Sequence, residues 1–337
     1  MDATAWTPPW WLPGGNAQTI WPALFARTHQ GALPKWRRER WSTPDGDFVD
    51  VDEYVSERPP ADDAPVLVLF HGLEGSSASH YARAFADHAA QRGWRCVVPH
   101  FRGCSGEINL APRAYHSGDH EEVGWILGRL RSRHPLAAML AVGVSLGGNA
   151  LMRWAQEAGH SGRSVVAALA AVSSPLDLAS AGRAIDTGFN RWVYARMFLR
   201  TMRAKAEAKW RQFPRLFDLD AVRRATTLYA FDHVFTAPLH GFQGTDDYWR
   251  RAAAKPRLAE VRVPALALNA LNDPFVPADG LPRAAAVGRW VTLWQPPHGG
   301  HVGFCRSDDR LRFPGHVWGL PEQVCAWLAE AAGVQHG

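Results

Sequence analysis

"GVSLGGN", Gly143–Asn149, is the stretch whose reading decides the fold. It ends an apolar run, "LAAMLAVGVS", that has the length and composition of a buried strand, and it opens "LGGNALMRWAQEAG", which reads as a helix. Ser145 therefore stands where a strand turns sharply into a helix. Such a turn leaves no room for side chains at the flanking positions, which accounts for Gly143 and Gly147, and it forces the serine hydroxyl out above the sheet. The helix begins near Leu146, where free N–H groups favour negative charge. Small residues also serve tight packing, so G-x-S-x-G alone is only moderately specific. Its place between strand and helix is what makes Ser145 a candidate nucleophile.

Working outward, the same alternation repeats. "PVLVLFHG" is a continuous apolar strand ending in Gly72, and "HYARAFADHAAQRG" sets Tyr81, Phe85 and His88 or Ala89 on one helical face before stopping at Gly93. "WRCVVPHF" is the next strand, "DHEEVGWILGRLRSRHP" a helix closed by Pro135, and "SVVAALAAVSS" a further apolar strand after the Ser145 helix. Strands alternating with helices require crossover connections. The expected fold class is α/β: a mostly parallel sheet of about eight strands with helices on both faces.

The alternation breaks between residues 179 and 258. That span offers a long helical pattern, "GFNRWVYARMFLRTMRAKAEAKWRQFP", and then loop-rich stretches such as "HVFTAPLHGFQGTDD". We read 179–258 as a helical cap inserted into a core formed by 1–178 and 259–337. Trp192, Ala195, Phe198, Leu199 and Met202 recur at helical spacing and are assigned to packing. "PALALNALNDPF" restores a strand, "WVTLWQP" supplies another, and "PEQVCAWLAEAAG" is the terminal helix.

A serine hydroxyl is a poor nucleophile unless a base takes its proton and a carboxylate orients that base. On this fold both partners come later in the chain, acid before histidine, each in a loop after a strand. Asp273 follows "ALALNA" and His301 follows "VTLWQP", so the order Ser145, Asp273, His301 fits. Asp279 and His298 are the rivals. His301 is preferred because Gly299 and Gly300 let the loop carry it over the serine, and His298 with His301 forms no metal pair, since no third ligand is apparent. Donors for an oxyanion are expected from the backbone N–H groups of Leu146 and of Leu73 in "FHGLEGSS". Glu74 and His71 are read as supports of that loop.

Composition limits the alternatives. The chain has 337 residues, 47% hydrophobic and 20% charged, which is ordinary for a globular protein. Cys96, Cys104, Cys305 and Cys325 show neither CxxC nor metal-ligand spacing, so reduced thiols are expected, with no metal and no organic cofactor. The start, "MDATAWTPPWWLPGGNAQTIW", lacks the basic residues and apolar run of a secretory signal, and no other run is long enough for a membrane helix. A cytoplasmic location follows as an expectation. The net charge of +5 and the run "KWRRERW" raise the question of a nucleic-acid partner. With Asp45-Gly46 as a hairpin turn just beyond it, that run reads instead as a solvated strand, and no nucleic-acid partner is expected. Trp6, Trp10, Trp11 and Trp21 are read as covering the edge of the core, with peripheral membrane contact the alternative reading. Arg102, Cys104, Asp119 and Asp232 are assigned structural duties.

The chain resembles the α/β-hydrolases related to bacterial YheT and the eukaryotic ABHD1/2/3 group. The similarity runs in order through "NAQTIWP", "HGLEGSSASHYARAFA", "FRGCSGEINLAPRAYHSGD", "GVSLGGNALMRW", "SSPLDL", "FDHVFTAPLHGF", "NALNDPFVP" and "GGHVGF". It implies a carboxylic-ester hydrolase with Ser145 as nucleophile, Asp273 as acid and His301 as base. Asn16 departs from the pattern, where relatives often carry histidine, and the membrane anchor of some eukaryotic relatives is not seen. The expected activity is cleavage of a small-molecule or lipid ester through an acyl-enzyme. Acyl transfer, thioester cleavage and a non-catalytic lipid-binding module are the alternatives, and no oligomeric state is read from the sequence.

Overall fold

The turn at Asp45-Gly46 joins β1 (Trp36–Ser42) to β2 (Phe48–Tyr54), with Gly46 at φ +77° and Ser42 opposite Phe48. In the computed structural model, which describes residues 6–56, 58–307 and 313–334, this hairpin forms one edge of an eight-stranded sheet. The outermost residues of the core assigned above, 1–5 and 335–337, lie outside the described residues. The basic residues of β1 face acids across the hairpin: Arg37 pairs with Glu53, Arg38 with Asp52 and Arg40 with Asp50. That cross-strand pairing is what the run "KWRRERW" does in the fold.

The other strands are β3 (Val66–Phe70), β4 (Arg95–Pro99), β5 (Met139–Val144), β6 (Ala168–Val172), β7 (Ala265–Leu268) and β8 (Val291–Trp294). They lie in the order β1-β2-β4-β3-β5-β6-β7-β8, antiparallel only at β1/β2 and β2/β4. Both faces are covered. Val66, Val68 and Phe70 turn to the side of α3 (His120–Arg133) and α4 (Leu146–Ala158), while Leu67 and Leu69 turn to that of α2 (His80–Gln91) and the C-terminal helix Gly319–Ala332. Burial on both faces is why these strands are uniformly apolar; each buried Val, Leu or Phe side chain contributes about 1.5–3 kcal/mol.

The register decides where the loops emerge. Phe70 lies beside Gly143, Val144 beside Val172, and Val172 beside Leu268, which is itself beside Trp294. The carboxyl ends of β3, β5, β6, β7 and β8 are thus level, and the chain leaves all five on the same side of the sheet.

Residues 178–252 contain helices and no strand. They include Leu178–Ile185, Arg196–Gln212 entered through a π-type turn at Arg191–Ala195, and Thr245–Ala252. Leu199, Val222, Leu228, Phe231 and Phe235 make a separate apolar cluster there. Three features differ from the sequence expectation. The stretch from His233, expected as loop-rich, is helical as far as Leu239: it continues a helix from Leu228 through a π-type turn at Asp232–Thr236, begun by the Thr227 hydroxyl, which accepts from Ala230 N. Trp192, assigned to packing, is 68% exposed. Near the amino terminus, Gly14–Leu24 forms a helix, α1, despite its two glycines and Pro22. Trp6 is buried, whereas Trp10 projects into solvent. Among the described residues no helix is long and apolar enough to cross a membrane.

Candidate active site

Ser145 has φ +52° and ψ −122°, a conformation costly for any residue with a side chain. Packing around the turn holds it there. A Cβ on Gly143 would lie 2.5 Å from Gly147 O, one on Gly147 2.5 Å from the carbonyl oxygens of Phe70 and His71, and one on Gly148 1.8 Å from Ser174 Oγ. The glycines are required because β5, α4 and the end of β3 approach within backbone contact. Ser145 N donates to Val172 O, and Ser145 O accepts from Gly148 N and Asn149 N, which ties the turn to β6 and to the first turn of α4.

His301 Nε2 lies 3.0 Å from Ser145 Oγ, and its Nδ1 lies 2.9 Å from Asp273 Oδ2 and 3.2 Å from Oδ1. A carboxylate can only accept, so Nδ1 carries the hydrogen and Nε2 is left to accept from the serine hydroxyl. Asp273 is buried, and its Oδ1 also accepts from Phe275 N and Val276 N. The Phe275 ring packs 4.2 Å from the imidazole. The rivals are not brought in: Asp279 and His298 are both exposed.

The support for His301 comes from a helix that sequence reasoning did not find. Thr19 Oγ1 of α1 accepts from His301 N, and Gln18 Oε1 accepts from Gly299 N and Asn272 Nδ2. Asn272 Oδ1 in turn accepts from Gly300 N. Asn16 Oδ1 accepts from Tyr194 OH, and Tyr194 packs on Phe275. The only signal in the sequence was polarity: "NAQT" is a short polar run between apolar aromatics, and polar side chains on a buried helix face need partners.

On the other side of Ser145, the loop after β3 passes so close that a Cβ on Gly72 would lie 3.1 Å from Ser145 Cβ. Gly72 N donates to Tyr81 OH. His71 is neutral and structural: its Nδ1–H donates to Gly72 O, its Nε2 accepts from Phe101 N, and burial pushes its pKa down to about 3. Leu73 lines the cavity over Ser145, as does Leu146, whose N–H at the first turn of α4 has no intrahelical acceptor. Glu74, at φ +57°, accepts at Oε1 from Tyr115 OH and Lys205 Nζ.

The cavity runs from Ser145 under the helices of 178–252 and is walled mainly by apolar side chains, among them Leu178, Ile185, Phe198, Met202, Phe231 and Trp249. Asp232, on its wall, accepts from Thr236 Oγ1 and Trp249 Nε1, and burial raises its pKa to about 6. Arg102 is buried against Asp45, Asp47 and Glu122, and Asp119 accepts from Arg113. Cys104 lies 3.1 Å from Lys205 Nζ. Among the described residues no group of three or more His, Cys, Asp or Glu side chains could hold a metal ion.

Comparison with known proteins gives a consistent picture. A family described as alpha/beta hydrolase fold matches residues 65–307. A protein of Escherichia coli whose name, YheT, is accompanied by the description esterase is 40% identical over 319 residues, covering 93% of this chain and 89% of its own. Human phospholipase ABHD3 is 30% identical over 276 residues, covering 80% of this chain and 67% of its own. Among solved structures, the Pyrococcus furiosus esterase Pf2001 superposes with a TM-score of 0.53 at 15% identity, over 92% of this chain and 98% of its own. That last likeness concerns the fold alone.

Proposed function

This chain belongs to the α/β-hydrolase family, and from that premise we propose that it is a serine hydrolase of carboxylic esters, with Ser145 as nucleophile, His301 as base and Asp273 as orienting acid. The observation that carries the reading is the continuous chain of contacts: Ser145 Oγ 3.0 Å from His301 Nε2, and His301 Nδ1 2.9 Å from Asp273 Oδ2. Ester and lipid substrates are also the subject of the relatives' names, esterase and phospholipase.

In the proposed reaction His301 takes the hydroxyl proton as Ser145 Oγ attacks the ester carbonyl carbon. The resulting oxyanion accepts from Leu73 N–H and Leu146 N–H, each such donor being worth about 10²- to 10³-fold in rate. Collapse breaks the bond to the alcohol oxygen, and His301 returns the proton to the departing alcohol, leaving an acyl-serine. Water, deprotonated by His301, attacks that acyl group, the bond between the acyl carbon and Ser145 Oγ breaks, His301 returns the proton to Oγ, and the acid is released. Residues 179–258 act as a cap, and their apolar wall favours an ester with an apolar acyl or alcohol group.

Ser145→Ala tests the reading. Turnover of p-nitrophenyl esters is expected to fall by about 10⁴-fold or more with the unfolding transition unchanged, and labelling by a fluorophosphonate probe is expected to vanish. Near-normal turnover by the variant, or a folded wild-type protein that neither labels nor hydrolyses esters, would refute it.

A further inference from the structure

The helical segment over the cavity turns several large apolar side chains outward. Tyr194, Ala195 and Leu199 are buried, whereas Phe189, Trp192, Val193 and Met197 are 54%, 68%, 37% and 49% exposed. Arg191, Arg196 and Arg200 are exposed among them. A groove on this face is lined by those arginines with Arg203, Trp192 and Met197, and by no carboxylate. Arg191 donates to Thr226 Oγ1 and Arg203 to the carbonyl of Ala225, and no ion pair is formed by any of the four among the described residues.

Among the described residues Arg196 and Arg200 have no hydrogen-bond or ion-pair partner, and the Phe189 and Trp192 side chains stand beside them more than half exposed. A contiguous set of exposed large apolar groups marks a surface that something covers, and arginines without carboxylates specify that the cover is anionic. Tryptophan and phenylalanine interleaved with arginine on one exposed helical face is the composition of a helix that lies in a membrane interface, its rings at the depth of the headgroups and its cations on the phosphates. A bilayer rich in anionic lipid matches both halves at once.

We propose that the outer face of Phe189–Arg203 docks this protein onto an anionic lipid bilayer. The inner side of the same segment gives the docking its use. Tyr194 packs on Phe275, which packs on His301, while Phe198 and Met202 line the cavity that holds Ser145. A bilayer on the outer face would therefore be separated from the cavity by the thickness of this one helix, about 10 Å. The proposal concerns a surface and does not depend on the chemistry assigned to Ser145.

Cosedimentation of the full chain with vesicles tests it, using phosphatidylcholine alone and an equal mixture of phosphatidylcholine and phosphatidylglycerol. The protein is expected to sediment with the mixed vesicles, to be released by added salt, and to stay in solution with phosphatidylcholine alone. Two double variants separate the contributions: Arg196→Glu with Arg200→Glu, and Trp192→Ser with Met197→Ser. Each is expected to weaken binding by about tenfold or more while the thermal unfolding transition, followed by circular dichroism, is retained. Absence of binding, equal binding to both vesicle types, or variants that bind like the wild type would overturn the proposal. So would a dimer in light scattering that dissociates in the Trp192→Ser, Met197→Ser variant and ignores vesicles, which would assign the face to a second copy of the chain.

Discussion

At the scale of single residues the site is governed by how little space the turn at Ser145 allows. Gly147 is the sharpest case, because the atoms a Cβ would meet are the backbone oxygens of Phe70 and His71 at 2.5 Å, and backbone cannot move aside as a flexible side chain can. Gly147→Ala is expected to destabilise the fold by about 1–3 kcal/mol and to displace Ser145, the proposed nucleophile; denaturant unfolding and fluorophosphonate labelling measure the two effects. Asp273→Asn preserves shape but lets the side-chain amide donate to Nδ1, which favours the wrong imidazole tautomer. It should lower kcat by about 10⁴-fold with KM little changed, read from steady-state kinetics. These residues were legible in the sequence because their requirements are local. Strand, glycine, serine, glycine and helix follow one another along the chain, and the acid and histidine each follow an apolar strand.

At the scale of elements, what the sequence concealed was the second layer of support. The glycines and Pro22 of α1 argue against a helix, yet Gly15 is needed because a Cβ there would lie 1.8 Å from Asn272 O. The helix presses against the loop it braces, so its sequence answers to tertiary contact before helix propensity. Gln18→Ala would leave Gly299 N and Asn272 Nδ2 without their acceptor. We expect a loss of about 1–3 kcal/mol in stability. A fall in kcat of about tenfold to a hundredfold should accompany it, with KM little changed, since the loop that holds His301 loses its brace. Thermal unfolding and kinetics together check this. Helical spacing likewise placed Trp192 with the packing residues. The π-type turn at Arg191–Ala195 shifts the face presented by the segment, and periodicity in sequence does not register an extra residue in one turn.

At the scale of the whole molecule, folding fixes the charge states of many buried groups, and this sets the dependence of stability on pH. Burial pushes Asp50 and Asp52 up, but hydrogen bonds from Arg40 and Ser105 to the first, and from Arg38, His100 and Ser77 to the second, hold both below the usual carboxylate range. Their contribution is present above the unfolded value of about 3.9 and is lost as pH falls through the folded one. Burial lowers His71 and His240 to about 3, and His80 and His88 to about 4. Below about pH 6.5 the unfolded chain takes up these protons first, so acid again removes stability. Glu122 and Asp232, raised by burial to about 7 and about 6, act in the opposite sense between their unfolded and folded values. The four imidazoles outweigh the two carboxyls. The unfolding temperature, measured by calorimetry across pH, should decline gently below about pH 6.5 and steeply below about pH 4.

The sequence by itself determined the α/β alternation, the turn that exposes Ser145, and the order in which serine, acid and histidine occur, because each depends on the period of apolar residues or on the space around a glycine. Tertiary structure alone decided the rest. The level ends of β3, β5, β7 and β8 gather residues as far apart as 72, 145, 273 and 301. Contact between α1 and the His301 loop explains why "NAQT" is polar, and packing sends Tyr194 inward and leaves Trp192 outside. Those outcomes rest on pairings between segments remote in the chain, and a linear pattern records the propensity of each segment but not the partner it meets.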